Sequence, residues 1–281
     1  MSNDDGIFYP GLQVLVDIFA EGNEIYVVAP DREKSAVSNA ITISNPVYTE
    51  SIDFPNTKAA YKSSGTPADC IKLAVCALKM EPDVIISGIN KGPNCGVNIT
   101  YSGTVAAAME GYYMGIPSFA ASISNHQPPD FTACRAYMRT IVEDLLNLSS
   151  EGRCLFNINI PSCNSKFVRG IRLTNQTDAN YSVQYMERLS HADRAYWQLA
   201  WGEFDYDAEE STDWRTLRNG YISITPLVLD LTDYQLLTRL KDISICNLGK
   251  RNVYDFTKQT YREREKRLNH ENQRRTWKRR V

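Results

Sequence analysis

The sequence has few of the residues that bind transition metals or form covalent cross-links. It contains three histidines and seven cysteines, and no two cysteines form a CxxC pair. An odd number of cysteines without such a pair indicates neither a disulfide framework nor a zinc site. The histidines, His126, His191 and His270, lie outside every motif described below, so histidine-based catalysis is not indicated.

Long apolar runs are also absent, and so is a segment with the character of a signal peptide. We therefore expect a cytoplasmic protein without membrane contact. The 281 residues are 43% apolar and 23% charged, which is typical of a globular chain that can bury a substantial core.

The net charge of −2 conceals an uneven distribution. Residues 250–281 carry 12 Lys and Arg against 4 Asp and Glu, whereas residues 1–249 carry 19 against 29. One interpretation of this basic tail is a solvated extension. The other is weak contact with nucleic acid or with an acidic partner surface, because clustered Lys and Arg attract phosphate.

Strands alternate with helices over the first 160 residues. Continuous apolar runs predict buried parallel strands at 24–30, 83–89, 116–122 and 154–160. Amphipathic or capped segments predict helices at 10–23, 66–80, 102–115 and 131–148. This order predicts an α/β fold with a mainly parallel sheet.

Beyond about residue 165 the pattern changes. Strands are predicted near 167–175 and 220–229, and a short helix at 232–240. The intervening stretch, 175–219, is polar and aromatic, and we expect an extended hairpin there. It includes an acidic patch: Asp205, Asp207, Glu209, Glu210 and Asp213.

Four segments are expected to meet at the carboxyl edge of the sheet, where ligands bind in open α/β folds. They are NDDG (3–6), APDREKSA (29–36), SGINKGPNCG (87–96) and YSGTV (101–105). Asp4 and Asp5 are adjacent like charges, which repel unless a cation lies between them or one is protonated. Together with Ser35 and Asn90 they offer only oxygen ligands, which suit Mg²⁺, Mn²⁺ or Ca²⁺. The alternatives are a capped helix start or a solvated turn.

The fourth segment resembles an anion site. Ser102, Gly103 and Thr104 begin a predicted helix, where backbone N–H groups and the helix dipole favour negative charge. An ordinary serine N-cap is the alternative. A cation beside an anion site indicates phosphate chemistry.

The motifs that carry a family resemblance follow one another along most of the chain. They are NDDGI, VVAPDREKSAVSNAIT, SSGTPADCIKLA, SGINKGPNCG, YSGTVAAAMEG, FNINIP and GYISITPL. In this order they resemble the SurE family of metal-dependent 5′/3′-nucleotidases, over about residues 2–240. Because several motifs share one order, the resemblance is more specific than any single motif.

The resemblance implies a Rossmann-like three-layer core with a hairpin arm and a C-terminal helical element. It implies one Mn²⁺ or Mg²⁺ per subunit, hydrolysis of nucleoside 5′- and 3′-monophosphates, and a homodimer or homotetramer. The implied metal ligands are Asp4, Asp5, Ser35 and Asn90, with Asp4 and Asp5 as the catalytic carboxylates. The implied phosphate-binding residues are Asn94, Ser102, Gly103 and Thr104. The implied domain spans 1–248, with the oligomerisation arm within 165–225, and 249–281 forms the basic tail.

One departure from the family leaves an alternative function open. The family has an apolar strand directly before NDDG, whereas only Met1 and Ser2 precede Asn3 here. We expect the neighbouring strands to lose ladder partners, at about 1–3 kcal/mol for each buried unpaired group. The alternative is a non-catalytic nucleotide- or metal-binding protein, inactivated by the missing strand. A response-regulator receiver is a third hypothesis, but it needs a phosphoacceptor Asp where this sequence has Asn90.

Overall fold

The computed structural model describes residues 1–124, 128–148, 153–178, 181–191, 194–204 and 209–240. The basic tail at 249–281 lies outside the described residues, and so do Asp205, Asp207, His126 and His270. The expectations for the tail and for a domain boundary after residue 248 therefore stay predictions.

The described residues form helices at every position predicted from the sequence, and two short ones besides. The helices are α1 (Pro10–Phe19), α2 (Pro67–Lys72), α3 (Asn98–Tyr101), α4 (Gly103–Tyr113), α5 (Thr132–Leu148), α6 (Asp213–Arg218) and α7 (Tyr234–Arg239). A capping box between Thr66 and Asp69 starts α2, which continues as a π-helical turn at Leu73–Ala77. Among the described residues, no helix has both the length and the apolar character needed to cross a bilayer.

The strands form a mainly parallel sheet system and one separate hairpin. They are β1 (Tyr26–Pro30), β2 (Thr49–Ile52), β3 (Ala59–Ser63), β4 (Ile85–Lys91), β5 (Ser118–Ile123), β6 (Leu155–Ile160), β7 (Ile171–Leu173), β8 (Tyr181–His191), β9 (Arg194–Phe204) and β10 (Ile222–Pro226). One sheet has the order β1-β3-β2 and the other β4-β5-β6-β10-β7. Because β1 with β3, β4 with β5, β5 with β6 and β7 with β10 are parallel pairs, the predicted α/β class is confirmed.

The first residues of the chain connect the two sheets. Ser2 forms a parallel bridge to Ser87, and its carbonyl accepts a hydrogen bond from Gly88 N–H at 2.8 Å. On the other side, the Met1 carbonyl accepts from Val28 N–H at 3.1 Å. Met1 and Ser2 therefore supply part of the ladder between β1 and β4 that the sequence analysis expected to be lost.

The core lies on both faces of this connected sheet. On one face α1 and α5 pack against the strands, and Leu12, Leu15 and Val16 are fully buried there, as their helical spacing predicts. On the other face α2 and α4 pack together, with Ile71 and Ala107 in a smaller apolar cluster. The arrangement is the expected helix–sheet–helix core, and it places the ends of β1 and β4 beside the Asn3–Gly6 turn.

The region after residue 165 is partly as predicted. Strands β8 and β9 pair antiparallel over their length, which confirms the extended hairpin; we call it the arm. The short helix α6, however, lies inside the stretch assigned to the hairpin, and Asp213 at its start is fully buried. Asp213 is therefore not part of an exposed acidic patch. Strands β2 and β3 were not predicted.

Candidate metal and phosphate site

A tight turn holds the paired carboxylates between the ends of β1 and β4. Asn3 Nδ2 donates to the Gly6 carbonyl at 2.8 Å, and Lys34 N–H donates to the Asp4 carbonyl at 2.7 Å. Gly6 has φ +96°, and a Cβ there would lie 3.0 Å from the carbonyl carbon of Arg32. Glycine is needed at this position because the turn requires positive φ and close backbone approach. The DDG segment thus packs directly against the segment that carries Ser35.

Asp4 lies beneath the N-terminus of α4 and is 4% exposed. Thr104 donates its N–H to Oδ2 at 3.1 Å and its hydroxyl to Oδ1. A Cβ on Gly103 would lie 2.9 Å from Asp4 Cβ, so glycine allows the helix to approach the carboxylate. Burial raises the pKa of Asp4, and the hydrogen bonds from Thr104 lower it without cancelling the effect of burial.

Asp5 faces the end of β4. Its Oδ2 accepts a hydrogen bond from Lys91 N–H at 2.9 Å, which joins it to the residue after Asn90. Burial raises the pKa of Asp5 to about 7; the Lys91 hydrogen bond opposes the shift, and the charges of Asp4 and Glu33 add to it. The two neighbouring carboxylates therefore lie in surroundings that penalise two uncompensated negative charges.

Ser35 and Asn90 lie on the two segments that Asp4 and Asp5 contact. Ser35 is exposed, and its Oγ donates to Glu33 Oε1 at 2.6 Å, which leaves lone pairs on the hydroxyl oxygen. Asn90 Nδ2 donates to the Gly92 carbonyl at 2.6 Å, so Oδ1 is the remaining polar atom of that side chain. Backbone contacts thus bring together the segments that carry all four predicted metal ligands.

The residues present fit a hard divalent cation. The donor set contains carboxylate, hydroxyl and amide oxygens and no sulfur or imidazole, which favours Mg²⁺ or Mn²⁺ over zinc. Within the described ranges, no cluster of three or more His, Cys, Asp or Glu side chains could hold a metal. Further ligands beside Asp4 and Asp5 would therefore be neutral oxygens, as Ser35 and Asn90 offer. Burial is the main reason that the pKa of Asp5 is raised, with repulsion from Asp4 and Glu33 adding to it, and a bound cation would favour the ionised carboxylate against both effects.

Asn94, in the loop that follows β4, is the centre of a buried polar network. Its N–H donates to Asn159 Oδ1 at 2.8 Å, and its carbonyl accepts from Asn157 Nδ2 at 2.7 Å and from Asn159 Nδ2 at 3.2 Å. Its own Nδ2 donates to Ser122 Oγ at 2.9 Å. An amide nitrogen carries two hydrogens, so one remains available as a donor.

Ser102 and Thr104 have structural roles in addition to those predicted. Ser102 Oγ accepts from Val105 N–H at 3.1 Å, which is the N-cap that the sequence analysis left as the alternative. Both Thr104 donors, the N–H and the hydroxyl, bind Asp4. The start of α4 therefore already binds one anion, the Asp4 carboxylate. Phosphate binding by Ser102, Gly103 and Thr104 stays a prediction.

Several residues that hold the site carry no motif that marks them as such in the sequence. Asn157 and Asn159 alternate along β6 on one face, and a pair of amides in an otherwise apolar buried strand was the available signal. Ser122 in β5 completes their network around Asn94. Asp213 accepts a hydrogen bond from Gly96 N–H, in the loop that also contains Asn94. The two residues are 117 positions apart in the sequence, and no local pattern indicates their contact.

Comparison with known proteins gives one consistent family. The family model described as "Survival protein SurE" matches residues 1–183. The 5′-nucleotidase SurE of Heliobacterium modesticaldum is 38% identical over 244 residues, covering 86% of this chain and 90% of that protein. The 5′-nucleotidase SurE of Aquifex aeolicus is 38% identical over 241 residues, covering 85% and 95%.

A solved structure agrees with the sequence matches. The crystal structure of the SurE protein from Aquifex aeolicus superimposes with a TM-score of 0.74 at 36% identity, covering 85% of this chain and 96% of that one. The family resemblance found in the motifs is thereby confirmed, over most of both chains. This chain belongs to the SurE family.

Proposed function

We propose that this chain is a metal-dependent phosphomonoesterase that hydrolyses nucleoside 5′- and 3′-monophosphates to nucleoside and phosphate. The observation that carries the proposal is the pair of partly desolvated carboxylates, Asp4 and Asp5, held at the carboxyl edge of the sheet by contacts from three other segments. The relatives reported above are named 5′-nucleotidases, which does not favour the non-catalytic alternative.

Asp4, Asp5, Ser35 and Asn90 would hold one Mg²⁺ or Mn²⁺ per subunit. Such an ion, when bound, polarises a phosphoryl oxygen and increases the acidity of water. Asp4 is oriented by Thr104, and Asp5 by Lys91 N–H, so neither carboxylate must reorganise when substrate arrives. The burial of Asp4 argues against the alternative of a freely solvated acidic turn.

We assign the binding of the phosphoryl oxygens to Asn94 and Ser102. Asn94 keeps one amide hydrogen after bonding Ser122, and Ser102 keeps its hydroxyl hydrogen because its oxygen accepts from Val105. Fixed donors stabilise the negative charge that develops on the phosphoryl group in the transition state. Gly103 and Thr104 contribute by bringing α4 onto Asp4.

The arm supports the proposal of a homodimer or homotetramer. Several of its aromatic and aliphatic side chains are exposed, among them Tyr185 at 64%, Leu189 at 61% and Trp197 at 58%. A row of large apolar side chains on a projecting hairpin is typical of a surface that another subunit covers. Light scattering of the purified chain and of one lacking 181–204 would measure the oligomeric state.

Phosphate release tests the function. The folded chain is incubated with a panel of nucleoside 5′- and 3′-monophosphates in Mg²⁺, in Mn²⁺ and in chelator. We expect turnover only with metal, and loss of at least about 100-fold in Asp4→Asn and Asp5→Asn because each removes a charged ligand. The exposed Asp53→Asn serves as the matched control and should retain turnover. Metal or nucleotide binding without any phosphate release would instead support the non-catalytic alternative.

A further inference from the structure

The carboxylate of Asp213 is buried and fully engaged by donors outside the proposed metal site. It is 0% exposed. Its Oδ2 accepts from Gly96 N–H at 2.9 Å, and its Oδ1 accepts from Thr177 N–H at 3.0 Å and Thr177 Oγ1 at 2.5 Å. Trp214 N–H also donates to Oδ1, at 2.7 Å. A charged acceptor with several donors makes strong, directional contacts when water is excluded.

Gly96 is held by Asp213 on one side and by the segment at Gln176 and Thr177 on the other. While its N–H binds Asp213, its carbonyl accepts from Gln176 Nε2 at 2.9 Å. Gly96 has φ +56°, and an added Cβ would meet the Thr177 carbonyl oxygen at 3.1 Å. The backbone therefore passes close to Thr177 in a conformation that glycine favours.

Gly96 lies in the chain between the two groups of proposed phosphate donors. Asn94 is fixed from the sheet side by the amides of β6, but those contacts stop at Asn94. After Gly96, the Ile99 N–H donates to the Gly96 carbonyl at 3.2 Å and the chain turns into α3, which leads to Ser102. The position of Gly96 thus sets the path from Asn94 to Ser102.

Asp213 also connects this loop to both ends of the arm. Thr177 lies shortly before β8, and Asp213 follows β9. Both ends meet at Gly96, because Thr177 and Gly96 donate to the two oxygens of the same carboxylate. A displacement at the base of the arm would therefore reach the loop that carries Asn94.

We propose that Asp213 is a positioning residue for the substrate phosphate: it fixes the 92–102 loop so that Asn94 and Ser102 face the same phosphoryl group. This inference rests on the proposed function of those two residues. Asp213 itself does not touch the substrate. Asp213 bonds none of the three residues that hold Asp4, Asp5 and Asn90, so we expect its replacement to change metal affinity little.

The test compares Asp213→Asn with Asp233→Asn. Asp233 is a matched control because it also stands at the start of a six-residue helix, α7, where its side chain accepts from Leu236 N–H. We expect Asp213→Asn to raise KM for a nucleoside monophosphate by about tenfold, because the amide nitrogen faces an N–H donor and one charged hydrogen bond is lost. Mn²⁺ affinity, measured by calorimetry, should change by no more than about twofold, because Asp213 does not contact the residues that hold the proposed metal ligands. A twofold change corresponds to less than about 0.5 kcal/mol. Asp233→Asn should leave both unchanged.

Hydrogen–deuterium exchange at Gly96 gives a readout that does not depend on turnover. In Asp213→Asn the Gly96 amide should exchange faster, whereas amides in β4 should not change. If Asp213→Asn does not fold, Thr177→Val removes one donor to the same carboxylate and should give a smaller effect in the same direction, with Thr177→Ser as its conservative partner.

The outcomes separate the inference from the function on which it rests. Absence of phosphate release in the parent chain overturns the proposed function, and Gly96 exchange still tests the contact. Turnover in the parent, with KM and Gly96 exchange unchanged in Asp213→Asn, overturns the positioning role alone. A fall in kcat and melting temperature at constant KM would also overturn it, because that is the signature of a residue that only stabilises the fold.

Discussion

The hydrogen bond between Thr104 and Asp4 offers a sharp test of how this site is built. Replacing Thr104 by valine exchanges the hydroxyl for a methyl group of similar size. Thr104 is 0% exposed and Asp4 4% exposed, so water cannot easily replace the lost donor at Asp4 Oδ1. A hydrogen bond to a charged group contributes about 1.5–3 kcal/mol, and partners that orient a metal ligand typically change metal affinity about 10–100-fold.

We therefore expect Thr104→Val to weaken Mn²⁺ binding by about 10–100-fold, while Thr104→Ser, which keeps the hydroxyl, stays within about threefold of the parent. The effect should depend on pH in a defined direction. The Thr104 hydroxyl lowers the pKa of Asp4, so its removal raises that pKa further and lets protons compete with the metal. The difference in Mn²⁺ affinity between Thr104→Val and the parent should become smaller as pH rises, because the Asp4 carboxylate is then ionised in both.

The assay is calorimetric titration of the metal-free chain with Mn²⁺ at several pH values, with circular dichroism to confirm that α4 is retained. Equal affinities for the parent and Thr104→Val across the pH range would refute the argument. So would an equal loss in Thr104→Ser, because it would assign the effect to packing of the methyl group rather than to the hydrogen bond.

Two further predictions follow from the same contacts. Asn159→Leu should raise KM more than it changes metal affinity and should destabilise the fold by about 1–3 kcal/mol, because Asn94 N–H loses its acceptor; steady-state kinetics and urea denaturation measure both effects. The contribution of Asp5 to the stability of the metal-free chain, taken as the difference between the parent and Asp5→Asn, should fall as pH rises from about 4 to 7. The pKa of Asp5 is raised from 3.8 to about 7, so its ionisation is unfavourable in the folded state, whereas the buried Met1 amine, with its pKa lowered to about 5, acts in the opposite direction in both chains. Mn²⁺ should restore that stability most strongly at the upper end of this range, and thermal melts with and without metal would show whether it does.

The layered core could be predicted because its strands and helices carry local patterns. The apolar runs at β1, β4 and β6 and the stripe on α1 each show their burial in the sequence itself. Strands β2 and β3 carry no such pattern: β2 alternates poorly and is partly exposed, and it forms because β3 pairs with β1. Pairing between distant segments is not encoded in the period of either one.

In the candidate site, too, the residues in local motifs could be predicted, whereas those that act through distant contacts could not. The pair Asp4 and Asp5 predicts a cation site only together with Ser35 and Asn90, because adjacent acids also occur at Glu143 and Asp144, where the sequence offers no such set of oxygen ligands. For Asp213 the sequence predicts only an acidic patch shared with its neighbours, because nothing in the local sequence distinguishes a buried aspartate from a solvated one. The burial of Asp213 and its donors from Gly96 and Thr177 become visible in the structure, and Gly96 is 117 residues away along the chain.

The contact between the α4 N-terminus and Asp4 bears on how the proposed site would bind a phosphate. A free helix N-terminus attracts an anion through unpaired N–H groups and the helix dipole. Here Thr104 gives its N–H and its hydroxyl to Asp4, and Gly103 brings the helix within contact of that carboxylate. The positive end of the helix is therefore largely neutralised by an anion of the chain itself. Under the proposed function, attraction for a phosphate comes from the remaining donors on Asn94 and Ser102 together with a bound cation, so we expect removal of the metal to weaken substrate binding.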